Sequence, residues 1–288
     1  MVSLAILIIN IGLFYLFLLM NRAEAQETRI VTIEEFPYLS SIRIRKNESK
    51  LAGSGYLCEA ALIHNRVLLT TAECIEGRKA EDVLGVVGAT CLQGITTTSK
   101  VLAIATLRWH GLYKRGASTY NIGLAFADED TLPIKGKLEY IPIAMTRTKP
   151  FTKCLGVGWA VNTDALSNWP IELPNYSASA KSCYRDTRTI GTFCTYQRFR
   201  RSPSADHEDS GIPITCNGKL AGVFILHPSH RFHVFTSVYA FRKWINGAIY
   251  LHFKKDLPAI EAMASMDGSI CFQWLFVLAI SIYLVGRP

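Results

Sequence analysis

The sequence predicts an all-β domain that ends in one α-helix. Between residues 36 and 249, short apolar runs alternate with Gly, Pro, Asn and Asp, which are typical turn residues. Only residues 238–249 have a helical pattern. The runs predicted as strands include residues 60–63, 66–70, 83–87, 101–107 and 220–226.

The composition is that of a folded domain with a basic surface. Of 288 residues, 49% are hydrophobic and 19% are charged, which excludes a disordered chain. The formal net charge of +8 favours anionic glycans or membrane surfaces over nucleic acid as partners of a secreted chain. The alternative is that this charge only keeps the protein soluble.

The cysteine pattern predicts disulfides. Eight cysteines occur without a CxxC motif and without the Cys/His spacing of a zinc site. We therefore expect disulfide bonds formed in an oxidising compartment, no bound metal and no cofactor.

The N-terminus predicts entry into the secretory pathway. Residues 4–20 are apolar except Asn10, and a small-x-small cleavage pattern ends at Ala25. This pattern predicts a signal peptide over residues 1–25 that is removed before Gln26. An uncleaved signal anchor is the alternative, because no basic side chain precedes the apolar run.

The C-terminus predicts attachment to the outer face of the plasma membrane. Residues 270–285 are apolar except Gln273 and Ser281, and a helix of these 16 residues would be about 24 Å long, short of the ~30 Å hydrocarbon core. With the small residues of the preceding linker (251–269), the tail (270–288) resembles a glycolipid-anchor signal. A short spanning helix is the alternative, and a tail packed on the domain is the least favoured interpretation.

Two kinds of surface motif remain. Sequons at Asn47 and Asn175 lie in polar stretches and predict N-glycosylation of a secreted chain. The basic run at residues 198–201 has the spacing of a processing site, with an anion-binding patch and an ordinary solvated loop as alternatives.

Residues 208–213 carry the motif that identifies a family. They resemble the nucleophile loop Gly-Asp-Ser-Gly-Gly-Pro of the trypsin/chymotrypsin serine proteases, with Ser210 at the nucleophile position. Glu208 and Ile212 stand where that family has glycine. Further segments resemble the family in the same order along the chain, at residues 58–63, 66–74, 120–124, 154–159, 192–194, 213–218, 234–238 and 244–245.

The resemblance covers about residues 30–247 and implies a fold. The family consists of two antiparallel Greek-key β-barrels followed by a C-terminal α-helix. We therefore expect this architecture for a domain of residues 30–250.

The resemblance also implies disulfide partners. The pairs are Cys58–Cys74 in the first barrel, and Cys154–Cys216 and Cys183–Cys194 in the second. Cys91 has no family partner and Cys271 lies in the tail, so Cys91 is either a free thiol or pairs between chains.

The start of the domain resembles the family's activation junction. Arg29-Ile30-Val31 matches the Arg-Ile-Val junction that is cut after arginine, although the two glycines that follow in the family are absent. The resemblance implies cleavage after Arg29, which would leave residues 26–29 as a short propeptide-like segment. The new ammonium of Ile30 would then pair with Asp209, since two buried opposite charges offset each other's desolvation. An ordinary strand start is the alternative.

Three positions of the implied catalytic centre carry unsuitable residues. Glu73 stands at the general-base position, where its carboxyl (reference pKa about 4.3) is a poor acceptor for a serine proton. Asn121 stands at the orienting position and cannot stabilise an imidazolium. Glu208 stands at the oxyanion position, where it places negative charge against negative charge.

The implied specificity pocket differs too. Ser204 aligns with the pocket base, where trypsin-like enzymes have Asp. His227 lies in the strand that pairs with substrate, and His233 replaces a pocket-lining glycine, so that imidazoles narrow or fill the pocket. Loop drift without consequence is the alternative.

Together these residues predict a serine protease homologue that is not an enzyme. We expect a catalytically inactive extracellular protein that acts by binding, as a decoy, scaffold or regulator of proteases or surface ligands. Its partner would be a protein or surface ligand, not nucleic acid, and its tail would associate with a membrane. The alternative is a serine endopeptidase with residual or atypical activity.

Overall fold

The chain folds into two sheets of antiparallel strands. The structure is a computed structural model that describes residues 29–93, 99–159, 170–178, 191–197, 210–229 and 232–254. It divides into two compact units, Met1–Lys243 and Trp244–Pro288. All strands named below lie in the first unit, and the described part of the second unit is residues 244–254.

Thirteen strands occur among the described residues. In chain order they are β1 (Arg29–Ile30), β2 (Leu39–Ile44), β3 (Tyr56–His64), β4 (Val67–Thr70), β5 (Val83–Val87), β6 (Lys100–Trp109), β7 (Gly123–Ala127), β8 (Lys153–Gly158), β9 (Ile171–Ala178), β10 (Thr192–Gln197), β11 (Pro213–Cys216), β12 (Lys219–Ser229) and β13 (Phe232–Ser237). All five runs predicted as strands fall on these elements, although β3 begins four residues before its predicted run and β12 ends three residues after its own.

The helices are α1 (Arg45–Glu48), α2 (Ala72–Ile75) and α3 (Val238–Phe253), with a 3-10 helix at Ala80–Asp82. The sequence predicted α3 but ended it four residues early. The prediction that no other stretch is helical is wrong for α1 and α2. These helices are single turns, and a four-residue turn is too short to show the 3.6-residue periodicity on which the prediction depends.

The first sheet is a closed barrel with the strand order β2-β3-β4-β7-β6-β5. Alternation is clearest in β6, where Leu102 and Ile104 are buried while Val101 and Ala103 between and beside them are exposed. The buried side chains meet in one core that includes Ile42, Leu62 and Leu68 of other strands. A disulfide joins Cys58 of β3 to Cys74 of α2.

The second sheet has the order β1-β9-β10-β13-β12-β11-β8, and β8 also pairs with β9. This extra pairing joins the two sides of the sheet, so six of its strands form a closed ring with β1 attached at β9. Its core contains Ile212, Ile214, Phe224 and Phe235. The predicted fold class, two antiparallel barrels and a C-terminal helix, is confirmed.

The two predicted terminal segments are outside the part of the chain that the structure describes. Within the described residues, no helix is long and apolar enough to cross a membrane. The predicted signal peptide (1–25) and the hydrophobic tail (270–288) lie outside the described residues.

A buried ion pair fixes the loop between β2 and β3. Arg43 of β2 and Glu48 of α1 form this pair with side chains only 1% and 6% exposed. Arg43 also donates to the carbonyl oxygen of Leu92 at 3.0 Å. The Glu48 carboxylate accepts from the N–H groups of Gly53 at 2.9 Å and Gly55 at 3.1 Å. The charge of Glu48 is therefore both paired and fully hydrogen-bonded, which is the condition for burying it.

We predict that Glu48→Ala lowers the free energy of unfolding by about 3 to 5 kcal/mol, because it leaves the Arg43 charge buried without a partner. Urea unfolding with the disulfides intact measures the loss. The double variant Arg43→Met/Glu48→Leu should recover most of it, since no charge then remains. Glu81→Ala is the control, since that side chain is 76% exposed and its pair with Lys79 is 3.7 Å long. An equal loss in Glu48→Ala and Glu81→Ala would contradict the prediction.

Candidate functional site: the altered catalytic centre

The structure brings Glu73 and Asn121 together. Helix α2 carries Glu73 just after β4, and Asn121 lies just before β7. The backbone N–H of Glu73 donates to Oδ1 of Asn121 at 2.9 Å, and Nδ2 of Asn121 donates to Oε2 of Glu73 at 3.4 Å. The residues predicted at the base and orienting positions therefore bind each other.

Asn121 is also held from the second barrel. It is 1% exposed, and its carbonyl oxygen accepts a 2.7 Å hydrogen bond from Oγ1 of Thr236 in β13. Its side chain has both polar atoms engaged by Glu73. These hydrogen bonds fix the orientation of the Asn121 amide, with both of its polar atoms bound to Glu73.

Ser210 has a different partner. Its Oγ lies 2.8 Å from Oγ1 of Thr71, and the residue is only 3% exposed. Its carbonyl oxygen accepts from the backbone N–H of Glu59 at 3.2 Å. A hydroxyl bound to another hydroxyl is not activated, because neither group has the basicity to remove its proton.

The turn after Ser210 is clamped between the barrels. Gly211 has φ +98°, and a Cβ on it would lie 2.1 Å from the carbonyl oxygen of Glu59 in β3. On the other side, the Gly211 N–H donates to the carbonyl oxygen of Phe224 in β12 at 3.0 Å. Only glycine fits this position, so the Ser-Gly sequence has a packing reason of its own.

No histidine takes over the role of the base within the part of the chain that the structure describes. His110 stacks on Tyr120 at 4.8 Å between ring centroids, and its Nδ1 accepts from the N–H of Leu112 at 3.3 Å. Burial lowers the pKa of His110. Its imidazole is thus neutral at physiological pH and forms no hydrogen bond with Ser210.

A tyrosine near Glu73 was not expected from the sequence. Tyr113 is 8% exposed, and burial, followed by the negative charge of Glu73, raises the pKa of its phenol. A phenol with a raised pKa stays protonated near neutral pH and cannot serve as a base. The contacts of Thr71 and Glu59 with Ser210 were also missed, because each joins positions far apart in the chain and gives no signal in a single sequence.

Arg29 and Ile30 of the predicted activation junction form the short strand β1. Arg29 forms an ion pair with Glu35 at 2.6 Å. Ile30 follows it in β1, is 43% exposed and pairs with Ile171 of β9. Asp209 lies outside the described residues, so the Ile30–Asp209 pair stays a prediction.

Of the predicted pocket residues, only the side chain of His233 is described. It is 3% exposed on β13, and its ring centroid lies 6.1 Å from that of Phe224. His227 lies in β12, but its side chain is outside the described set, as are Ser204 and Glu208 as whole residues. The predictions for these three residues are untested.

The predicted cysteine pairs are only in part within the described residues. The structure contains the disulfides Cys58–Cys74 and Cys154–Cys216. Cys194 is disulfide-bonded as well, although Cys183 lies outside the described residues. Cys91 is a half-buried free thiol.

The two sequons lie in different elements. Asn47 is exposed on α1, and Asn175 falls in β9. N-glycosylation of both residues remains a prediction. Within the described residues, no group of three His, Cys, Asp or Glu side chains could hold a metal ion.

Comparison with known proteins gives the family. The model of the trypsin family matches residues 26–245. The chain belongs to the trypsin family of serine proteases and their homologues.

Individual relatives are distant. Pig azurocidin is 26% identical over 221 residues, which cover 75% of this chain and 84% of azurocidin. Trypsin theta of Drosophila melanogaster is 26% identical over 247 residues, covering 77% and 87%. Among solved structures, a variant of human heparin binding protein is 25% identical with a TM-score of 0.64, covering 77% of this chain and 95% of that chain.

We predict a coupling energy of about 1 kcal/mol between Thr71 and Ser210 in a double-mutant cycle of Thr71→Val and Ser210→Ala. Each single change leaves one buried hydroxyl without its partner, so it should cost about 1 to 2 kcal/mol of unfolding free energy. The double change removes both hydroxyls and should cost less than the sum. Urea unfolding of the four proteins measures the cycle. If the two single losses of unfolding free energy add up in the double variant, the Thr71–Ser210 contact does not contribute to stability and the prediction is wrong.

Proposed function

We propose that this protein is a catalytically inactive, extracellular member of the trypsin family that acts by binding. The observation that carries the proposal is the hydrogen-bond pattern of the centre. Ser210 is bound to Thr71 at 2.8 Å, while Glu73 is bound to Asn121. Serine hydrolysis needs the opposite arrangement, in which the hydroxyl faces a base that is itself held by a carboxylate.

The residue types support the same conclusion. A glutamate side chain is a poor general base and acid for serine hydrolysis near neutral pH, because the reference pKa of such a carboxyl is about 4.3. An asparagine carries no charge and cannot stabilise an imidazolium. In serine proteases the loss of the base alone reduces turnover by about 10⁶-fold.

We predict that the protein does not react with a fluorophosphonate probe. The sample should have Ile30 as its N-terminus, confirmed by mass spectrometry, so that an uncut junction cannot explain a negative result. Labelling should not exceed that of Ser210→Ala, while trypsin labelled in parallel verifies the probe. Strong labelling that Ser210→Ala abolishes would overturn the proposal in favour of an active endopeptidase.

The ligand we propose is an anionic glycan of the cell surface or matrix. The net charge of +8 attracts polyanions, and such attraction persists at physiological salt where several cations act together. One solved structure that is 25% identical to this chain is a variant of human heparin binding protein. A binding role of this kind needs no reacting serine.

We predict retention of the secreted protein on immobilised heparin at about 0.15 M NaCl, with elution as added salt screens the contacts. A column of desulfated heparin is the control for the polysaccharide backbone. Flow-through from the sulfated column at this salt concentration would rule out the glycan as ligand. That result would leave the proposed lack of catalysis unaffected, since the probe experiment tests it separately.

A further inference from the structure

A cavity of about 310 Å³ lies where α3 begins. Its walls come from the loop before β8, from the start of β10 and from the turn between β13 and α3. The residues used below are Arg147, Thr148, Thr192, Ser237, Tyr239 and Ala240. None of them belongs to the altered catalytic centre.

The cavity is basic. Arg147 is exposed and forms no ion pair or hydrogen bond with any residue that the structure describes. A second cation, Arg242, contacts the lining residue Tyr239: its guanidinium lies 4.0 Å from the ring centroid of Tyr239, and its Nη1 donates to the Tyr239 carbonyl oxygen at 2.6 Å. Among the described residues, none that lines the cavity is acidic, and the sequence has no acidic residue from Met145 to Lys153.

The polar groups of the wall add donors. Thr148 and Thr192 contribute hydroxyl groups. Helix α3 starts here with no acidic residue in its first turn, and Ser237 caps it by accepting from the N–H of Ala240 at 3.3 Å. The first turn of α3 thus contains no carboxylate that could offset the positive helix end.

We propose that this cavity binds one sulfated sugar residue of an anionic glycan. Its volume is at the lower end of the roughly 300–1,000 Å³ of ligand pockets, which suits a single ring with its sulfate group rather than a longer segment. Arg147 pairs with the sulfate, and the threonine hydroxyls bind the ring oxygens. This inference rests on the proposed function and locates its ligand.

Three variants test the cavity with a heparin-derived disaccharide as the probe, titrated by calorimetry at low salt. Arg147→Ala removes the free cation and should weaken binding about tenfold, the usual effect of losing one charge-assisted hydrogen bond. Ala240→Glu should weaken binding at least as much, because it places a carboxylate in the wall. A carboxylate in the first turn of α3 also interacts favourably with the positive helix end, so the thermal midpoint should not fall. Ala240→Gln has the same size without the charge and should bind like the wild type.

Lys135→Ala is the matched charge control, because Lys135 is exposed outside the cavity and its removal lowers the net charge equally. It should change the affinity by less than about twofold. If wild-type protein binds heparin but Arg147→Ala and Ala240→Glu bind the disaccharide like Lys135→Ala, the cavity is the wrong place and the proposed function stands. If the wild type binds neither heparin nor the disaccharide, the proposed ligand and the cavity fall together.

Discussion

The structure depends on the turn at Ser210 and Gly211, where the two barrels meet. The carbonyl oxygen of Glu59 accepts from Oγ1 of Thr70 at 2.7 Å and lies where a Cβ of Gly211 would be, while the N–H of Glu59 binds the Ser210 carbonyl. From the other barrel, the carbonyl oxygen of Phe224 receives the Gly211 N–H. The turn satisfies polar backbone groups of both barrels at a buried junction, where unpaired groups would be costly. A fold of this type therefore needs Gly211 whether or not the neighbouring serine reacts.

The same junction gives the residues of the altered centre a structural role. Ser210 is buried and bound to Thr71, so it contributes to the junction as a hydrogen-bonding residue. Glu73 and Asn121 form a second contact, and Thr236 ties that contact to β13. These bonds stabilise the arrangement of the two barrels, and none of them requires a proton to move. Fold and reaction are separable here because the packing uses the same residues for a different purpose.

Much of the fold could be predicted from the sequence, and much of the site could not. The run 83–87 coincides with β5 because a buried five-residue strand leaves a continuous apolar pattern, here bounded by Asp82 and Gly88. The contact of Thr71 with Ser210 spans 139 positions, so no local pattern contains it. Nothing in the sequence marks Arg43 as buried, and only the structure places Glu48 beside it. Burial of a charge depends on a partner that only the tertiary fold supplies.

The proposed glycan cavity shares no lining residue with the altered catalytic centre. Binding in this cavity would therefore not depend on the residues of that centre. Strand β10 pairs with β13 beside the cavity. Just before β10, the Gly191 carbonyl oxygen accepts a hydrogen bond from the Ser237 N–H at 2.7 Å. A Cβ on Gly191 would lie 2.3 Å from the ring of Phe241, so the close approach of β10 to α3 depends on that glycine. Neither contact involves Ser210, Glu73 or Asn121. Changes at those three positions are therefore not expected to alter the cavity, and binding of an anionic ligand there would not require a reactive serine.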